Sequence, residues 1–265
     1  MRLKINHLTH YRFEQPVHYG MQQIRVTPKP MASQRVLSWS LALEGGKREL
    51  TFDDYHRNTV DLISIDRDAT EVSIRSTGEV ELTETHGVVG AHVGPAPLWL
   101  FERATPRTKA GSGCKALVRK VEGESQLERL HALMALIHEE VTYEKGQTDS
   151  GATAEESVAA GHGVCQDHAH IFCACAREMG FPARYVSGYL LMEDSPHQEA
   201  THAWAEAHVT GLGWVGFDVS NKQSPDVRYV RIATGLDYNE AAPVTGTRYG
   251  GEAEELTVAL EVAQQ

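Results

Sequence analysis

Three side chains have the types and the order that thiol chemistry needs. Cys165, His202 and Asp218 follow one another at intervals of 37 and 16 positions. A thiol becomes a useful nucleophile when an imidazole takes its proton, and a carboxylate on the far ring nitrogen holds the imidazole in the right tautomer. Such a set supports acyl transfer: sulfur attacks an amide carbonyl, an amine leaves, and a thioester remains. Water as the second nucleophile makes the protein a cysteine peptidase or amidase. An amine makes it a glutamine-directed cross-linking transferase. The residue types describe the first half of this reaction and leave the second half open. A non-catalytic peptide-binding module is the reading from another class, but a binding groove has no need of an activated thiol.

The elements that carry these residues can be read locally. Gly161, His162 and Gly163 interrupt any helix just before Cys165. Ala169, Phe172, Ala176 and Met179 then recur at helical spacing until Gly180 and Pro182 stop the run. Cys165 therefore belongs at a helix start, where unpaired N–H groups and the macrodipole favour an anion. Thiols in such places ionise more readily than free ones. The same N–H groups can receive the oxyanion of an acyl-transfer intermediate, and Gln166 and Tyr143 are candidates to assist there. Ala183–Met192 reads as a strand, followed by a polar turn over 193–198. Ala203, Ala205 and Ala207 alternate with larger residues in a second strand that begins at His202. Gly211 and Gly213 turn the chain into a third, Trp214–Phe217, that ends at Asp218. A hairpin of this kind brings base and orienter within hydrogen-bond reach. Trp204 and Trp214 are placed as walls of the cleft or core, and Cys173 and Cys175 as inert packing.

The blocks GVCQDHAHIF, GFPARYVSGYL, HAWAE and GWVGFD occur in order with compatible spacing, and they resemble the core of the transglutaminase-like superfamily. The N-terminal HLTHYRFEQPV resembles the β-rich region that precedes this core in a bacterial branch. The resemblance implies an α+β fold: a papain-like core, with the Cys-bearing helix packed on an antiparallel sheet, preceded by an antiparallel β-sandwich-like module. It also implies a Cys–His–Asp triad on Cys165, His202 and Asp218, and it favours hydrolysis of a peptide or amide bond. One departure affects the loop after the aspartate: Asp218-Val219-Ser220-Asn221 stands where many relatives have Asp-Pro-Thr.

The rest of the chain sets bounds. Thirty-six acidic against 25 basic residues give a formal charge of −11, which argues against a nucleic-acid or anionic-membrane surface. No apolar run approaches the ~20 residues of a membrane span. The opening MRLKINHLTHYRF alternates like a strand, and four cysteines make no disulfide framework, so a reduced, cytoplasmic chain is expected. No two of the 14 histidines have zinc-peptidase spacing, and no acidic calcium loop is present. No metal or other cofactor is expected, the partner being a peptide or protein amide substrate.

Residues 1–90 read as an antiparallel β-module with one face buried, 91–115 as a Gly/Pro-rich linker, and 116–265 as the core with a C-terminal β extension. Within the linker, Leu98–Phe101 pin it to a surface. Ser125 with Glu128, and Thr153 with Glu156, mark two helix starts. The loop over 143–152 is a candidate cleft wall. Gly246–Glu255 reads as a mobile connection near the substrate entrance, ahead of a last strand built on Leu256, Val258, Leu260 and Val262.

Overall fold

The computed structural model describes residues 1–146, 151–192, 197–198 and 200–265. Its longest element is β1, Arg2–Ile24. Leu3, Ile5, His7, Thr9, Tyr11 and Phe13 are all buried while their neighbours are not, the period of two that a half-buried strand requires. Next come β2 (Gln34–Glu44), β3 (Gly46–Asp53), β4 (Thr59–Ile65) and β5 (Ala69–Leu82). Gly45 turns β2 into β3 with φ +74, and a Cβ there would lie 2.1 Å from the Glu71 carbonyl oxygen, so the turn demands glycine. β5 runs antiparallel to β1 over Arg2–Arg12, and β2 lies beyond it. After an irregularity between Arg12 and Val17, β4 pairs with β1 over Met21–Ile24 and carries β3 outside it. One long strand is thus the spine of both halves of a curled sheet. β3 departs from the expected buried face: Leu50 and Phe52 are 47% and 41% exposed at the sheet edge.

The end of the range expected as the N-terminal module and the stretch expected as a linker are both bound to the core. β6 (Val88–Gly90) pairs with a core strand, a 3-10 turn follows over Leu98–Glu102, and α1 (Ser112–Lys120) begins before its end. Phe101 is buried with its ring 5.0 Å from that of Trp214, whereas Trp99 stays exposed. The helix starts fall where the sequence places them. Ser125 and Glu128 form a reciprocal cap on α2 (Gln126–Glu140), and Thr153 and Glu156 do so on α3 (Ala154–Ala160). Leu130, Leu133, Met134 and Ile137 form the buried stripe of α2.

Between these helices lies β7 (Thr142–Tyr143), and after α3 comes β8 (His162–Gly163), parallel to it. Then follow α4 (Cys165–Glu178), β9 (Ala183–Leu190), β10 (His197–Gln198), β11 (His202–Val209), β12 (Gly213–Phe217), β13 (Tyr229–Gly235) and the single turn α5 (Tyr238–Ala241). The core sheet runs β13-β9-β11-β12-β6, all antiparallel, with α4 packed against β11.

The chain then returns to the first sheet. β14 (Val244–Gly250) pairs with β1 from Val17 to Ile24, and β15 (Glu254–Gln264) pairs with it from Leu3 to Phe13. The C-terminal strand, grouped with the core by its place in sequence, therefore closes the N-terminal sheet. Alternation marks a strand's buried face but does not name its partner. For the same reason 246–255, expected as a mobile connection, is strand at both ends: Gly246–Gly250 is ladder on β1, and β15 begins at Glu254. Leu3, Ile5, Val80, Leu82, Leu260 and Val262 share one apolar core with α4 and the core sheet, so the module roofs that sheet. No helix among the described residues is long and apolar enough to cross a membrane.

Candidate active site

Cys165 is the first residue of α4, and the Val164 N–H ahead of it donates to Asp167 Oδ2 at 2.8 Å. The helix start is thereby fixed from within, with the thiol half-buried in the first turn. His202 opens β11, opposite Gly188 of β9. A Cβ on Gly188 would lie 2.3 Å from the Trp204 ring, so glycine admits the indole beside the histidine. Trp204 is buried and stacks on His202 at 6.2 Å between ring centres.

His202 Nε2–H donates to Asp218 Oδ2 at 2.7 Å. An ionised carboxylate only accepts, so Nε2 carries the hydrogen and Nδ1 is left for the sulfur. Cys165 and Asp218 both act on the charge of the His202 ring. Burial alone would lower the imidazole pKa, but Asp218, through its hydrogen bond and charge, and Cys165 outweigh it and raise it to about 10. Asp218 is fully buried. Burial pushes its carboxyl up, and the donors from His202, Asn221 and Tyr229 pull it below the usual aspartate value.

Sequence reasoning missed those last two donors. Asn221 Nδ2 donates to Asp218 Oδ2 at 2.7 Å and its backbone N–H to Oδ1 at 3.2 Å. This is an Asx-type turn, whose signal is the Asp/Asn pair three apart. The Tyr229 hydroxyl, from β13, donates to the same Oδ2 at 2.8 Å, and nothing local in sequence announces it.

The loop that departs from Asp-Pro-Thr is held by other means. His138 Nδ1–H of α2 donates to the Val219 carbonyl at 2.9 Å. His168 Nε2–H of α4 donates to the Val141 carbonyl at 3.0 Å, so its Nδ1 accepts the Ser220 hydroxyl at 2.9 Å. Burial lowers the His168 pKa, in keeping with a neutral ring that accepts on one side.

The other candidates fall as follows. Tyr143 lies on β7, 44% exposed, and its phenol is raised by burial and then by the charges of Cys165 and Asp218, which puts it at the mouth of the site. Gln166 follows Cys165 in the first turn of α4 and is half-buried. Trp204 backs the imidazole. Trp214 lies elsewhere, stacked under the Arg184 guanidinium at 3.8 Å. Parts of the proposed cleft wall (147–150) and of the polar turn (193–196) lie outside the described residues.

Known proteins share this architecture. Residues 115–219 match the transglutaminase-like superfamily, and residues 3–81 match the bacterial transglutaminase-like N-terminal region. An uncharacterised protein of Mycobacterium leprae is 26% identical over 281 residues, covering 99% of both chains. One from Mycobacterium tuberculosis is 27% identical over 277 residues, covering 94% of this chain and 88% of its own. The crystal structure of a candidate cysteine protease from Cytophaga hutchinsonii superposes with a TM-score of 0.81 at 22% identity, over 99% of this chain and 90% of that one. In sequence and in fold, the chain is a transglutaminase-like protein with its core at 115–219, behind a bacterial transglutaminase-like N-terminal region.

Proposed function

We propose that the protein is a thiol-dependent peptide or amide hydrolase, a cysteine peptidase or amidase that works through a thioester on Cys165. The carrying observation is the His202–Asp218 hydrogen bond of 2.7 Å, supported by the influence of Cys165 on the charge of the same imidazole. With the His202 pKa near 10, the ring is an imidazolium at neutral pH. The Cys165 sulfur attacks the carbonyl carbon, and the oxygen takes the negative charge. The N–H groups of the first turn of α4 hold that oxygen, with Gln166 and Tyr143 beside them. The imidazolium gives its proton to the leaving amine, which departs as the carbonyl re-forms in the thioester. The neutral imidazole then takes a proton from water, which attacks the thioester, releases the acid and returns the sulfur. Asp218 stays ionised throughout and orients the ring. The structure describes Cys114, Cys165, Cys173 and Cys175 as free thiols, and we place the protein in a reducing cytoplasm.

The test is intact-mass analysis of the whole chain with a glutamine-containing peptide library, with and without a primary amine. The expected result is an acyl adduct on Cys165 and hydrolysed peptide in both conditions. Amine incorporation without hydrolysis would replace this reading with a cross-linking transferase. No adduct with any acyl donor, together with unaltered peptides, would remove the enzymatic reading altogether.

A further inference from the structure

Beyond the three reacting side chains, a hydrogen-bonded series leads away from Asp218 in which each step allows one direction. Arg228 is fixed by Asp226, with Nε 2.9 Å and Nη2 2.6 Å from Oδ2. A guanidinium can only donate, and its Nη2 donates to Gln223 Oε1 at 3.2 Å. The Gln223 amide nitrogen is thereby turned the other way and donates to the Tyr229 hydroxyl at 2.7 Å. Gln223 is itself pinned by a pair of backbone hydrogen bonds to Asp218, at 2.9 and 3.1 Å. With its oxygen already accepting from Gln223, the phenol directs its hydrogen at Asp218 Oδ2, 2.8 Å away.

We propose that Tyr229 is a positioning residue of the active site. The one-way series Arg228–Gln223–Tyr229 aims its phenolic hydrogen at Asp218, keeps that buried carboxylate ionised, and so keeps Nε2–H of His202 directed away from Cys165. This inference rests on the thiol–base reading above and adds a second line of residues to it. Asn221 supplies another donor to the same oxygen, so Tyr229 shares the task. Its ring has a separate part: it meets Trp204 edge-on at 5.5 Å and lies 5.9 Å from His202, so it packs beside both. Phenylalanine would keep that packing and remove the hydrogen alone. Other titratable groups also face this region: Cys165 and His168 from α4, Tyr143 from β7, His138 from α2, and the Asp226–Arg228 pair at the outer end. None of these residues is substituted in the three variants below.

The experiment follows iodoacetamide alkylation of Cys165 in the full chain by peptide mass mapping, from pH 4 to 9. It compares the unaltered protein with Tyr229→Phe, Gln223→Glu and His202→Ala. In Tyr229→Phe the acid limb of the rate profile moves up by about one pH unit, a roughly tenfold loss near pH 5, because a hydrogen bond to a carboxylate is worth about that much. Gln223→Glu, at a half-buried position, moves it the same way with the phenol intact, since the new carboxylate accepts the hydrogen that Asp218 loses. A purely structural tyrosine does not respond to that reversal. Superimposable profiles for both variants, with His202→Ala still slowing alkylation, overturn the inference and leave the thiol–base reading standing. An effect of Tyr229→Phe alone overturns the direction of the series. An unaltered rate in His202→Ala overturns both readings.

Discussion

Two carboxylates in the core sheet have no exposure to solvent, and their partners set them apart. Glu206, in the middle of β11, is held by two arginines: Arg184 Nε at 2.6 Å, and Arg231 through Nε at 2.8 Å and Nη2 at 2.9 Å. Asp218, just past β12, is held by a histidine, a tyrosine and an asparagine. Burial raises both carboxyls, and the partners more than reverse it in each case. A guanidinium does not give up its proton in a protein, and burial lowers the Arg184 pKa without removing its charge at neutral pH. The Glu206 cluster is therefore a fixed knot of charge that ties β9, β11 and β13 together. The Asp218 cluster has one partner that titrates and that faces a thiol. Burial of a carboxylate alone does not mark a reactive site. A proton that can leave the partner does.

Replacing Glu206 should have the largest effect. Glu206→Leu strands two buried guanidiniums and should cost about 3–5 kcal/mol of folding free energy, read by urea denaturation. Asp218→Asn should cost less stability, about 1–3 kcal/mol, because Asn221 and Tyr229 keep an oxygen to bond. It should also slow Cys165 alkylation at pH 6 at least tenfold, an estimate of roughly one disturbed charged hydrogen bond. If Asp218→Asn unfolds the protein as readily as Glu206→Leu and leaves alkylation untouched, the two clusters do the same job and the distinction fails.

The pH dependence separates the clusters further. The His202 pKa is raised from 6.5 to about 10, so its stabilisation is fully present below pH 6.5 and is lost as pH climbs toward 10. The Glu206 carboxyl is lowered from 4.5, so its stabilisation is present above pH 4.5 and is lost as pH falls below it. Urea midpoints from pH 4 to 10 should decline at both ends, and His202→Ala should flatten the alkaline decline alone. The smallest effect sharpens the account of the loop. Ser220→Ala removes the hydroxyl from His168 Nδ1 and should cost about 1 kcal/mol, seen as a modest drop in melting temperature.

The placement of Cys165, His202 and Asp218 on their elements was the most legible part of this chain. Cys165 is announced by glycines before a helical repeat, and His202 and Asp218 by a strand pair joined through Gly211 and Gly213, all signals within a few residues. Tyr229 was readable as part of a strand and no further, because its partner Asp218 lies across a turn that local pattern does not close. Ser220 stood out in the sequence only as part of a departure from Asp-Pro-Thr. Only the packing of α4 on that loop makes it a partner of His168. The N-terminal strands were legible for the same reason as the helix, by period, whereas the return of β15 to β1 was not. A period of two specifies which residues face inward and is silent about which of many strands lies alongside.

That return has a consequence for how the molecule is made. Leu3 ends beside Gln264, and Phe13 beside Glu254. A ribosome therefore releases β1 long before its neighbour on that side exists, whereas β9, β11 and β12 emerge close together. The nascent chain must shelter a bare flank of its longest strand until translation reaches β15, and molecules stalled short of that point would offer the flank to one another.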